Sequence, residues 1–392
     1  MVFGDTEELK AYKSLQAAFE KKFPTIKLEL IHIPSQTDYR KRMAADFAAG
    51  TPADVVLINY RRFASLAVKG ALAPLGPFLQ KSAIIQEEDF YPEAITPFYW
   101  KDQLVCIPQN ISSLVVYYNK TLFDQSNLPY PKEDWTWDDF LQTAKTLTRD
   151  MDGDGITDQH GLGTEASIIR LAPFVWQNGG SLLNDPDQPN RLSLDEPAAV
   201  EAFQWFVDLQ TRHHVVPNQQ EESAESSESR FQTGRLGMFL NSRRGVPTYR
   251  TITAFDWDVT ALPRKIDPVG ILHADAYCMP ASVKTKDLVW KFIEFANSTE
   301  GQTIVALSGR TVPSLRNVAE STAFLDPTAK PANSRVFLDT IPYILAVPIL
   351  PNWVDIESIV SEEIERAYYG LATIDEAIQT ATDRTLIYFK SE

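Results

Sequence analysis

Short apolar runs and stretches of helical periodicity follow one another along this chain, and that alternation restricts it to an α/β architecture. Leu9, Tyr12, Leu15, Phe19 and Phe23 recur at helical spacing until Pro24 stops the run. Met1, Val2 and Phe3 ahead of them read as the tail of a first strand. Ile26, Leu28 and Leu30 alternate with Thr25, Lys27 and Glu29, the period of a half-buried strand. A helix is expected over 38–49, ended by Gly50, and the continuous apolar run DVVLI (54–58) reads as a parallel strand buried on both faces. Another helix begins over 63–68 and stops at Gly70. The same alternation returns from about 115 to 250, with Ala199, Ala202, Phe203 and Phe206 on one face of a helix over 197–209. The acidic stretch 219–229 is expected as a solvent-facing helix start or a mobile loop. Strands over 257–262 and 276–279 and a helix over 287–297 come next. The tail, 356–389, reads as two helices joined near Gly370 with Thr373 capping the second. Such a succession predicts mainly parallel sheets flanked by helices.

At 392 residues, two domains are the default expectation. A net charge of −15 argues against nucleic acid and anionic membrane as partners. No apolar run approaches the length of a membrane helix. The opening MVFGDTEELK has no basic stretch before a hydrophobic segment, and the expectation is that an export signal has been removed. The two cysteines, Cys106 and Cys278, stand in the apolar runs LVCIP and AYCMP. They are expected as buried free thiols, with a disulfide as the alternative if the two runs are neighbouring strands of an exported protein.

Catalytic signatures are missing. The five histidines show no metal-ligand spacing, and there is no phosphate loop or nucleophile elbow. Adjacent acids such as Asp138 and Asp139 diverge on a helix and do not face one substrate. Thr136 with Asp139 three residues on makes a capping box, and Trp135 with Phe140 a hydrophobic staple, so both aromatics are explained as scaffold. Asp150, Asp152, Asp154, Ile156 and Asp158 are spaced like the first nine positions of a calcium loop, although Gly161 stands where a bidentate Glu would complete it. A structural Ca2+ is one reading of this loop; the other is a plain Asp/Gly turn. Binding chemistry recurs after strands instead. Asn59, Tyr60, Arg61 and Arg62 follow DVVLI, Asn241 to Arg244 follow the apolar run 236–240, and Trp176 to Gly180 set a ring beside two amides and two glycines. Loops at strand ends are where open α/β sheets take ligands, and sugars stack on rings while their hydroxyls need amide, carboxylate or guanidinium partners.

The order of these pieces resembles one family. Asp5, Thr6 and Glu7 lead to GTPADVVLINYRRFASLAVKGALAPL (50–75), then YYNK (117–120), the Thr136 cap, the aspartate loop and WQNGG (176–180). SLDEPAAV (193–200), FQTGRLGM (231–238), WDV (257–259), LP (262–263) and 309–313 complete it. The chain is similar in this to the extracellular or periplasmic solute-binding proteins of ABC importers, sugar-binding family 1, which are maltose-binding-protein-like. The resemblance implies an α/β periplasmic-binding-protein fold of two lobes, each with a mainly parallel sheet, joined by a hinge that the chain crosses more than once. Lobe one would hold 1–110 and 262–315, and lobe two 115–255 and 325–392, with hinge segments near 109–113, 255–262 and 315–331. It implies a monomeric receptor, not an enzyme, working with ABC permease subunits in the periplasm or outside the cell, with a lipid anchor as the one route to the membrane. No cofactor is required. The expected ligand is a disaccharide or oligosaccharide. The alternatives are a polar or anionic solute such as a glycerol phosphodiester, and a secreted glycan-active enzyme. The ligand contacts implied are Asp5, Glu7, Tyr60, Arg61, His273 and Asp275 from lobe one. Asn110, Trp176, Asn178, Asn241, Arg243, Trp257 and Trp353 would come from the hinge and lobe two, with the three tryptophans as stacking platforms.

Overall fold

Two small sheets organise the chain in a computed structural model that describes residues 1–186 and 188–389. Residues 187 and 390–392, which the expected second lobe includes, lie outside the described residues. The first sheet sets strand β3 (Val56–Asn59) and strand β4 (Cys106–Pro108) on either side of β9 (Asp275–Cys278). β1 (Val2–Phe3) pairs in parallel with β2 (His32–Ile33), and the amide of Leu57 in β3 donates to the carbonyl of Met1. The second sheet runs in the order β8 (Trp257–Thr260), β5 (Val115–Asn119), β7 (Leu236–Asn241), β6 (His160–Gly163). The chain therefore leaves the first sheet after β4, builds the second, and returns after β8 to insert β9 between β3 and β4.

That return corrects the expectation of mainly parallel sheets. β9 is antiparallel to both β3 and β4, and β5 is antiparallel to both β7 and β8; in these two sheets only β6 with β7 is parallel. A continuous apolar run such as DVVLI records burial on both faces and says nothing of direction. A strand delivered by a long excursion is free to enter either way.

The helices follow the periodicity that predicts them. α1 (Thr6–Lys22) buries Tyr12, Leu15 and Phe19 and is capped by Asp5, with Glu8 completing a capping box. α2 (Gln36–Ala48) and α3 (Tyr60–Ala67) are capped by Ser35 and Asn59. α4 (Trp137–Leu147) starts at Thr136, whose hydroxyl accepts from the amide of Asp139. Trp135 packs edge-on to Phe140 with ring centroids 5.3 Å apart. α5 (Ile168–Gln177) and α6 (Pro197–Thr211) pack together, and α7 (Trp353–Tyr368) with α8 (Ile374–Phe389) closes over α6. The 219–229 stretch is helical, as Gln219–Ala224 and the start of Ser227–Gln232. The strand expected over 25–30 is absent. Ile26, Leu28 and Leu30 do alternate in burial with exposed Thr25, Lys27 and Glu29, but only His32–Ile33 finds a strand to pair with. Among the described residues, no helix is long and apolar enough to cross a membrane.

The free-thiol expectation is overturned. Cys106 and Cys278 are directly opposite in the β4–β9 ladder, with Cα atoms 4.4 Å apart, and form a disulfide. The spacing is that of a non-hydrogen-bonded antiparallel pair, where side chains approach most closely.

His160 of β6 is buried, with Nε2 3.3 Å from a Glu221 carboxylate oxygen and Nδ1 without a partner. Burial outweighs Glu221 and pulls the imidazole down to about 4 from its ordinary 6.5. The unfolded chain thus binds a proton between these values that the folded chain refuses. Stability linked to His160 is present above pH 6.5 and lost as pH falls toward 4, by up to about 3 kcal/mol. The unfolding midpoint of His160→Gln should fall less steeply over this window than that of the unsubstituted protein. Parallel slopes would remove His160 as the cause.

Candidate functional site

A cleft of about 310 Å³ opens where the carboxyl ends of β3 and β7, the entry to β9 and the start of α7 approach one another. Its chemistry begins at the end of β3. The Asn59 side-chain oxygen Oδ1 caps α3 by accepting from the amide of Arg61 (3.3 Å) and from Arg61 Nε (3.1 Å). The Asn59 side-chain amide donates to Asp275 (3.1 Å), its register partner on β9. The Asp275 amide in turn donates to Asn110 Oδ1 (3.2 Å). Burial raises the Asp275 carboxyl above its ordinary range, against the opposing pull of Asn59, Asn110 and Arg61. Arg61 Nη1 reaches Glu357 of α7 at 2.6 Å, and the other Glu357 oxygen accepts from the Trp353 indole at 3.1 Å. Arg62 must share that carboxylate at 3.9 Å. Burial, then repulsion from Arg40, brings Arg62 down to about 10.

Opposite, Arg170 on α5 pairs with Glu165 at 3.1 Å, and Asn241 to Arg244 extend from β7. Asn241 donates to the Tyr249 hydroxyl at 2.7 Å. Arg243 is 1 % exposed, bonds the carbonyl of Gly309 (2.8 Å) and the hydroxyl of Ser334 (3.1 Å), and lies over the rings of Phe324 and Phe337. At a third edge Arg310 grips Asp5 and Glu8, each at 2.6 Å. Burial drives the Glu8 carboxyl up to about 7, with Arg310 opposing. Gly4 makes room for this knot, since its φ is +134° and a Cβ there would lie 1.5 Å from Glu8 Oε2.

Of the expected contacts, Arg61, Asn110, Asn241, Arg243, His273 and Asp275 line the cleft. The three tryptophans do not. Trp257 is buried in the second sheet, its indole donating to the Tyr249 carbonyl and its ring packed near Tyr117 and Tyr249. Trp353 is equally buried and acts on the cleft only by orienting Glu357. Trp176 packs half-buried against the core. The Trp257 and Trp353 indoles are taken up by packing and that of Trp176 half so; in sequence, a packed ring at the edge of an element reads like a stacking platform. Tyr60 is fully buried, its hydroxyl accepting from the amide of Val347, and Asn178 is spent on Ala198 and Glu201. Asp5 reaches the cleft only through Arg310, and Glu7 pairs on the surface with Lys10. The rings that do line the cleft are Phe3 and Tyr39. Arg40, Glu165, Arg170, Arg310 and Glu357 line it without having been expected. The one sequence signal for Arg170 is a lone cation inside the apolar helix IIRLAPFVW.

In the aspartate loop, Asp150, Asp152 and Asp158 bring one oxygen each within 4.8 Å of one another. Asp154 turns away to accept from the amide of Ile156, and both Asp150 oxygens accept from glycine amides. The loop thus closes on its own backbone, and three of its four carboxylates converge.

A match to the family described as "Bacterial extracellular solute-binding protein" spans residues 4–303. A putative binding protein of Brucella abortus (strain 2308) is 21% identical over 385 residues, covering 94% of this chain and 87% of that protein. The ABC substrate-binding protein Lmo0181 from Listeria monocytogenes, solved in complex with cycloalternan, superposes with a TM-score of 0.89 at 23% identity, covering 98% of this chain and 96% of that one. A solute-binding protein from Thermotoga lettingae TMO bound to α-D-tagatose superposes at 0.85 and 20% identity, covering 99% and 98%. These likenesses show an α/β periplasmic-binding-protein fold.

Proposed function

This chain belongs to the bacterial extracellular solute-binding protein family, receptors of ABC importers and not enzymes, and from that premise we propose that its cleft captures a carbohydrate for delivery to a membrane permease. The observation that carries this reading is the pairing inside the cleft. Asn59 with Asp275, Arg61 with Glu357 and Arg170 with Glu165 place donors beside acceptors around one cavity. Sugar hydroxyls need both at once. The carbohydrates bound by the two similar structures support the same class of ligand.

The expected lobes, 1–110 with 262–315 and 115–255 with 325–392, are proposed as the moving bodies. In support, the chain passes between the sheets after β4 and after β8, and the cleft draws residues from both sheets. Arg61 on α3 and Glu357 on α7 would then face each other across the closing gap, and a bound solute would favour the closed state by its differential affinity.

Thermal unfolding in the presence of mono-, di- and oligosaccharides tests the reading. A sugar present at a thousand times its Kd should stabilise the protein by about 4 kcal/mol and be recovered intact. If no carbohydrate raises the midpoint, the ligand class is wrong. If the sugar is consumed, the receptor assignment is.

A further inference from the structure

We propose that the captured solute carries an anionic group, a phosphate ester or a carboxylate, and that Arg62, Arg170, Arg244 and His273 form its seat. The proposal rests on the receptor reading above and narrows its ligand.

Charge is the first ground. Seven arginines line the cleft (40, 61, 62, 170, 243, 244 and 310) against the carboxylates of Glu8, Glu165, Asp275 and Glu357. The whole chain carries −15, so composition does not explain a cationic cavity. Three of these carboxylates are moreover balanced by one arginine each, Glu357 by Arg61, Glu8 by Arg310 and Glu165 by Arg170, and Asp275 is held by the Asn59 amide. The Arg244 side chain makes no ion pair among the described residues.

Unmet donors are the second, independent ground. Arg62 Nε, Arg170 Nε and His273 Nε2 are buried in the cleft wall without a hydrogen-bond partner. Arg170 is only 3 % exposed. A buried donor left unpaired is costly, more so on a charged group, and such groups are rarely left so without an occupant. Burial and then the charges of Arg170, Arg61 and Arg244 hold His273 well below its ordinary value. It is therefore neutral, and with its proton on Nε2 it would donate without adding a fourth like charge. The two arginine atoms can only donate, and His273 Nε2 donates in its Nε2–H tautomer. What they lack is an acceptor, and guanidinium forks suit phosphate and carboxylate oxygens. A neutral sugar would supply hydroxyl oxygens but leave the cationic excess uncompensated.

The test measures affinity by calorimetry for maltose, a uronic-acid disaccharide, glucose 1-phosphate, glycerophosphocholine and inorganic phosphate, at low and high salt. The tightest probe should be a hydroxylated anion, weakened at least tenfold by high salt, by Arg170→Met and by Arg244→Ala. Whether a uronic acid or a phosphate ester binds tighter assigns the source of the charge. Ligand-free Arg170→Met should unfold at or above the midpoint of the unsubstituted protein, because it removes a repelled, half-satisfied cation; a merely structural arginine would lower it. Maltose binding as tightly as the anions, indifferent to salt and to Arg170→Met, overturns the anionic seat while the carbohydrate reading stands. Inorganic phosphate matching the best hydroxylated probe keeps the seat and overturns the carbohydrate. Silence from every probe overturns both.

Discussion

Replacing Cys106 and Cys278 together with alanine should lower the unfolding free energy by about 3–5 kcal/mol and the thermal midpoint by roughly 5 °C. The bridge closes a sequence separation of 172 residues, so in the chain-entropy picture it removes a large share of the unfolded chain's freedom. It also joins β4 to β9, the strands by which the chain leaves the first sheet and re-enters it. Both sulfurs are fully buried, so reductant should act on the unfolded protein and spare the native one. Calorimetry in non-reducing buffer checks the effect, and a double variant that melts with the unsubstituted protein would show that the ladder alone holds these strands. The same variant melting with or without reductant, while the native sequence drops in reductant after unfolding, separates the crosslink from the loss of two packed side chains.

Arg243→Ala should cost about 2–4 kcal/mol of stability even without any ligand. Arg243 was expected as a ligand contact and does border the cleft, yet its bonds point inward. It ties the turn after β7 to the carbonyl of Gly309 and to Ser334, and its guanidinium lies 4.4 Å from the Phe324 ring and 5.0 Å from that of Phe337. Burial lowers its basicity to about 9, so it remains charged at neutral pH with aromatic faces, and no carboxylate, as its main company. Alanine would leave a cavity and an unpaired buried carbonyl. Arg243→Met keeps most of the volume and should recover at least half of the loss. Urea unfolding of the two variants decides the matter; an Arg243→Ala protein as stable as the parent but weak in ligand binding would restore the residue to a purely ligand-facing role.

What the sequence discloses here is burial, and what it withholds is direction and partnership. The periodicity of Leu9, Tyr12, Leu15 and Phe19 is that of α1 because a helix buries a face by its own geometry. Ile26, Leu28 and Leu30 alternate as a strand should and are half-buried as an edge strand would be, but the ladder needs a neighbour that the local sequence does not contain. DVVLI is a buried strand whose orientation is fixed by β9, more than two hundred residues away. In the cleft, Arg61 and Asn241 are legible because they stand where β3 and β7 end, whereas Asp275 opens β9 and is implied by the family resemblance alone. Glu357 and Arg170 sit in the opening turns of α7 and α5, where a charge is ordinary until the fold turns it inward. The tryptophans lie outside the cleft for the reverse reason: a ring at the edge of an element reads the same whether it faces ligand or core, and Trp257, opening β8, and Trp353, opening α7, are buried while Trp176, at the end of α5, is half-buried.

The Cys106–Cys278 bridge also has a mechanical meaning. Tension applied between the two ends of this chain would pass covalently from β4 to β9 through sulfur, and the backbone between would carry none of it along its length. A sequence separation of 172 residues, about 600 Å of contour when extended, is thereby hidden from a pulling force until the bond is reduced. The backbone of the second sheet is thus bypassed as a covalent path between the chain ends.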